Sequence, residues 1–139
     1  MLTQKITPNQ KKCFSTIVVD DSALQLLVTS SFVKKHEDLE FHKGFTNPVK
    51  ALEYLFQKRV DLVVLDLDMP SLHGLTIIPV LRKMNQRVMV FSNNKALENQ
   101  ALALGAETFE TKGHGLEGFN SGVAECLFNA NHYQSAICA

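Results

Sequence analysis

Apolar residues along the chain fall into two kinds of pattern. Residues 16–19 (TIVV), 62–65 (LVVL) and 88–91 (VMVF) are continuous runs rich in β-branched side chains. Strands buried on both faces look like that. Between the runs, Leu24, Leu27, Val28 and Phe32, then Val49, Leu52, Leu55 and Phe56, recur at spacings of three and four. That period predicts two helices, each with one apolar face along those residues. Residues 39–45 can supply a weaker strand and 108–111 a short one, while 75–83, 96–104 and 116–130 read as three more helices.

Strand and helix thus alternate five times. Parallel strands need long crossover connections, and these are right-handed, so the alternation predicts an α/β domain with a doubly wound five-stranded parallel sheet and helices on both faces. Each apolar run ends in polar residues: Asp20, Asp21 and Ser22 after the first, Asp66 and Asp68 after the third, Ser92, Asn93 and Asn94 after the fourth, Lys112 after the fifth. All of these fall at the carboxyl ends of the strands, where such sheets bind ligands. In the order 2-1-3-4-5 the first, third and fourth strands are neighbours, and three carboxylates share a small volume.

Carboxylates so placed repel one another and raise at least one pKa unless a cation sits among them. Mg²⁺, a hard ion that takes oxygen ligands, is the natural partner. With a metal and Lys112 cancelling charge, a carboxylate can attack a phosphoryl group, and the Ser92 hydroxyl can hydrogen-bond phosphoryl oxygens. Convergence alone does not choose the nucleophile. Each residue singly has a blander reading: Asp20-Asp21-Ser22 as turn and N-cap, Ser92 as a loop hydroxyl, Phe109 as core, Lys112 as a solvated side chain. Only the constellation favours a site.

Composition bounds the rest. At 139 residues the chain has the size of one domain, and 14 basic against 14 acidic residues leave no net charge to draw it toward nucleic acid or anionic lipid. No apolar run approaches the ~18 residues of a membrane span, so a cytoplasmic protein is expected. Three cysteines without paired or CxxC spacing argue against a disulfide framework or zinc site, and five scattered histidines lack ligand spacing. Residues 1–13 read as a polar leader, 14–130 as the domain and 131–139 as a tail. The expectation is a free-standing domain that acts through its own surface.

The motifs VVDD (18–21), VLDLDMPSLHG (64–74), VFS (90–92), GAETF (105–109) and Lys112 together resemble the receiver domains of two-component response regulators, single-domain and chemotaxis-regulator-like. The resemblance implies a flavodoxin-like fold over about residues 14–130. It implies Asp66 as phosphoacceptor, and Mg²⁺ held by Asp20, Asp21, Asp66 and the main-chain carbonyl of Asp68. It also implies Ser92 as switch hydroxyl, Phe109 as switch aromatic and Lys112 as the phosphate-pairing lysine. The implied partners are a sensor histidine kinase or histidine phosphotransfer protein, and a downstream protein on the face formed by residues 95–104, 108–111 and 116–130. Such a domain is a signalling phosphoacceptor rather than an enzyme.

Two rivals remain. A pseudo-receiver keeps the fold and binds partners without phosphorylation. The hhhhDxD pattern also opens haloacid-dehalogenase-like phosphatases, with Asp66 as nucleophile and Asp68 as general acid. That template needs further aspartates downstream and none follows Asp68, while Ser71 is only close to its Thr or Val. The chain departs from the receiver pattern twice. Gly113 stands where proline usually follows the lysine, and Asn93 stands where a small residue usually follows the switch hydroxyl.

Overall fold

The computed structural model describes residues 13–69 and 74–138, with side chains as far as residue 129. The elements in chain order are β1 (Phe14–Val19), α1 (Ala23–Lys35), β2 (Leu39–Phe45), α2 (Pro48–Gln57), β3 (Leu62–Leu65), α3 (Gly74–Lys83), β4 (Val88–Ser92), α4 (Glu98–Ala103), β5 (Thr108–Thr111) and α5 (Gly115–Cys138). Single 3₁₀ turns, Lys95–Leu97 and Lys112–His114, lead into α4 and α5.

All strand pairs are parallel, in the order β2-β1-β3-β4-β5. The fold is the flavodoxin-like doubly wound sheet that the alternation predicts. Every residue of β3 and β4 is buried, as their unbroken apolar runs require. One core layer joins Ile17, Val63, Leu65 and Val90 to Ala51, Leu55, Ile78 and Ala101 of α2, α3 and α4. The other joins Val18, Val64, Met89 and Phe91 to Val33 of α1 and Phe119 and Val123 of α5. Two layers of helix, one on each side, bury the sheet.

The apolar faces of α1 and α2 differ from the periodicity. In α1 the buried positions are Thr29, Ser30 and Val33, with Leu26 and Phe32 partly buried against the core, whereas Leu24 and Leu27 are 67% exposed and Val28 is 39% exposed. The reason lies in β2: a Cβ on Gly44 would stand 2.9 Å from a Leu26 methyl. The strand admits Leu26 where a side chain would block it, and that contact turns the Leu24–Leu27–Val28 stripe outward. In α2 half of the predicted face holds: Leu55 is buried and Leu52 packs against the core beside the buried Pro48 and Ala51, while Val49 and Phe56 face solvent.

Two helix bounds also shift. The segment predicted as helical from residue 96 opens instead as a 3₁₀ turn; Asn94 before it makes no side-chain cap bond, and its Nδ2 donates to Asp68 Oδ1 at 3.4 Å. At the other end α5 continues past residue 130 to Cys138, so the expected tail is helix there; no glycine or proline after Gly122 interrupts it. No described helix is long and apolar enough to cross a membrane. Cys13 is exposed and Cys126 is buried, both as free thiols. Burial pushes the Cys126 thiol up to about 12, so it is inert as a nucleophile. His36 and His42 are partly exposed and His114 is exposed. His73, His132 and residues 1–12 of the expected leader lie outside the residues whose surroundings are described, as do Pro70 and Ser71.

Candidate functional site

The sheet register sets the site. Val19 pairs with Leu65 and Leu65 with Val90, so Asp20 and Asp66, each one residue further on, leave the sheet at the same level. Asp66 N–H still donates to the Val19 carbonyl at 3.0 Å, and Asp20 N–H to the Phe45 carbonyl at 3.0 Å. These ladder bonds fix both carboxylates at the rim. Ser22 caps α1 by accepting the Gln25 N–H at 3.2 Å, and its own N–H donates to Asp20 Oδ1 at 3.0 Å. The cap and turn roles that Asp20 and Ser22 fill unaided are real, and they also orient the acid.

Carboxylate oxygens of Asp20, Asp21 and Asp66 lie within 4.8 Å of one another. Asp20 is 2% exposed and Asp66 5% exposed, with Asp21 at the rim. Lys112 reaches in from the end of β5, its Nζ 2.5 Å from Asp20 Oδ2 and 3.5 Å from Asp66 Oδ1. Burial pushes the Asp66 carboxyl above its usual 3.8; Lys112 pulls it back, and Asp20 and Asp68 push it further up. One ammonium therefore does not neutralise the group of acids. An all-oxygen donor set with surplus negative charge fits a hard divalent cation such as Mg²⁺.

The remaining predicted residues divide. Ser92, fully buried at the end of β4, pairs in register with Thr111, and its Oγ accepts the Asn94 N–H at 3.2 Å. Phe109 is 9% exposed and packs in the layer containing Ala101 and Ile78, already inside the core. The Asp68 carboxylate is exposed and stands apart from the acidic triad, held by Asn94. Asn93, suspected of narrowing the entrance, is exposed; Asn94 is the residue that reaches across. Two participants escaped the sequence: the Asn94–Asp68 bridge and the Thr111 hydroxyl, which accepts the Gly113 N–H at 3.2 Å. A polar residue ending a strand was the available signal for each, and without a register neither had a visible partner. No cis peptide occurs among the described residues, so Lys112–Gly113 is trans.

Residues 16–120 match the family described as response regulator receiver domain. Among curated proteins, the chain is 33% identical over 101 residues to a protein-glutamate methylesterase/protein-glutamine glutaminase of Burkholderia thailandensis, covering 69% of this chain and 28% of that one. Among solved structures, a two-component response regulator of the LuxR family from Aurantimonas aligns with a TM-score of 0.78 at 17% identity, over 85% of this chain and 87% of that one. The response regulator domain of Thermotoga maritima CheB aligns with a TM-score of 0.67 at 23% identity, over 92% of this chain and 98% of that one. At those identities the likeness to the solved structures speaks for the fold alone. The chain spans only about a third, or less, of the length of the curated relatives it matches, 28% in the Burkholderia case.

Proposed function

Because the chain belongs to the response regulator receiver domain family, we propose that it accepts a phosphoryl group on Asp66 from a phosphohistidine donor and signals through a changed protein-binding surface. The observation that carries this reading is the grouping of Asp20, Asp21 and Asp66 under one buried lysine. An Asp66 oxygen forms the bond to phosphorus while the donor's P–N bond breaks and its electron pair returns to the imidazole nitrogen. For that attack Asp66 must be ionised, against its burial, and Lys112 favours the ionised form. Asp20, Asp21, Asp66 and the Asp68 carbonyl would hold Mg²⁺, which when bound supplies positive charge where two anions meet. Lys112 pairs with the arriving phosphoryl oxygens, and Ser92 donates its hydroxyl to one of them.

Two surfaces serve the partners. Leu24, Leu27 and Val28 form an apolar stripe immediately after the acidic turn, and an apolar patch beside a reacting group suits a donor protein that must bring its phosphohistidine to Asp66. The second surface comprises residues 95–104, 108–111 and 116–130. Ser92 is bonded to Asn94, which begins the turn into α4, so drawing the Ser92 hydroxyl toward a phosphoryl group moves the start of that face. Phe109 lies beneath it. Small side-chain shifts there give a partner two different surfaces to distinguish.

Incubation with Mg²⁺ and phosphoramidate, followed by mass spectrometry, tests the reading. The expected result is an 80-Da adduct on the peptide containing Asp66 that is absent in Asp66→Asn. No adduct on a folded wild-type protein would favour the unphosphorylated interaction module instead.

A further inference from the structure

Lys112 reaches Asp20 and Asp66 from a 3₁₀ turn whose backbone is tied in place on both sides. Two hydrogen bonds do this. Gly115 N–H donates to the Lys112 carbonyl, closing the 3₁₀ turn at a φ of +59°, a left-handed conformation natural to glycine. On the other side Thr111, extended at φ −86° and ψ 137°, accepts the Gly113 N–H on its Oγ1 at 3.2 Å. A proline at 113 would have no N–H to give. The turn thus pairs a residue at 113 that keeps its N–H with a hydroxyl two residues earlier. Thr111 is also the register partner of Ser92, so the lock sits beside the other residue that meets the phosphoryl group.

We propose that Thr111 is the positioning residue for Lys112: its hydroxyl holds the Lys112–His114 turn so that the ammonium reaches Asp20 and Asp66 across the rim. The proposal rests on the reading of Lys112 as the lysine that pairs with the phosphoryl group. The locking bond is exposed to solvent. Water can replace the hydroxyl at little cost to folding, so its loss falls on the aim of the lysine rather than on stability.

Initial rates of Asp66 phosphorylation by phosphoramidate with Mg²⁺ test this in Thr111→Val, Thr111→Ala and Thr111→Ser, each made with Lys112 intact and in Lys112→Ala, with thermal midpoints measured alongside. Misaiming a group by about 1 Å costs up to ~100-fold in rate, and a loosened turn that still samples the right aim is expected to cost about tenfold. Val and Ala should both slow the reaction by that factor at a nearly unchanged midpoint, and Ser should restore it. In Lys112→Ala, removing the hydroxyl should change nothing further. The inference is overturned if Val and Ala react as fast as wild type while Lys112→Ala is slow, or if they slow the reaction equally without the lysine. If Lys112→Ala itself reacts at the wild-type rate, the role of the lysine fails, and the inference with it.

Discussion

Asp66 gathers opposing influences into one carboxylate: burial and two neighbouring aspartates favour the proton, and Lys112 opposes it. Its folded-state pKa lies above the 3.8 of the free group, so the folded chain holds a proton over a range of pH in which the unfolded chain has released it. The contribution to stability is complete below about 3.8 and is lost as pH rises through the folded value. With a chelator present, Asp66→Asn should therefore be more stable than wild type at pH 7 by urea denaturation, and the advantage should close as pH approaches 3.8. A gap that widens on acidification would contradict the raised pKa. The metal acts on the same residues. Mg²⁺ at ~100 times its dissociation constant should stabilise the wild type by about 2.7 kcal/mol. Asp20→Ala combined with Asp21→Ala should abolish that shift, and an undiminished shift would remove both acids from the metal site.

At the scale of the element, α1 is the most informative because it violates its own periodicity. Leu24, Leu27 and Val28 are spaced as a core face and lie in solvent, while Thr29 and Ser30 are buried. Replacing Leu27 with Ser, at an exposed position, should change stability by no more than about 0.5 kcal/mol. If the stripe receives a phosphodonor protein, the same substitution should lower the rate of transfer from that protein and leave phosphorylation by phosphoramidate unaffected. Equal effects on both reactions would place the defect in the site itself. Removing the cap that begins this helix, with Ser22→Ala, should cost about 1 kcal/mol by denaturant titration, since the Gln25 N–H loses its acceptor.

For the whole molecule the question is how far a local phosphoryl bond travels. Ser92, Asn94 and Asp68 form a short chain of hydrogen bonds from the end of β4 to the turn before α4, and Phe109 ties β5 to the layer beneath that turn. Amide exchange with and without a phosphoryl mimic should show protection changes across α4, β5 and the first turns of α5. Changes confined to the loops around Asp66 would instead describe a phosphate sink with an indifferent surface.

The sequence by itself determined the alternation of elements, the parallel sheet, and the residues at the strands' carboxyl ends. Continuous apolar runs bounded by polar residues have few physical solutions. Chain connectivity sends Asp20, Asp66, Ser92 and Lys112 to one edge in almost any right-handed winding of the sheet. Tertiary structure alone decided which face of α1 and α2 is buried, because helical period marks an apolar stripe without saying what meets it, and Gly44 gave the place to Leu26. It likewise decided that Asn94 caps nothing and bridges to Asp68, and that the Thr111 hydroxyl accepts the Gly113 N–H. Those pairings depend on register and on side-chain reach across strands, quantities that exist only once the sheet has formed.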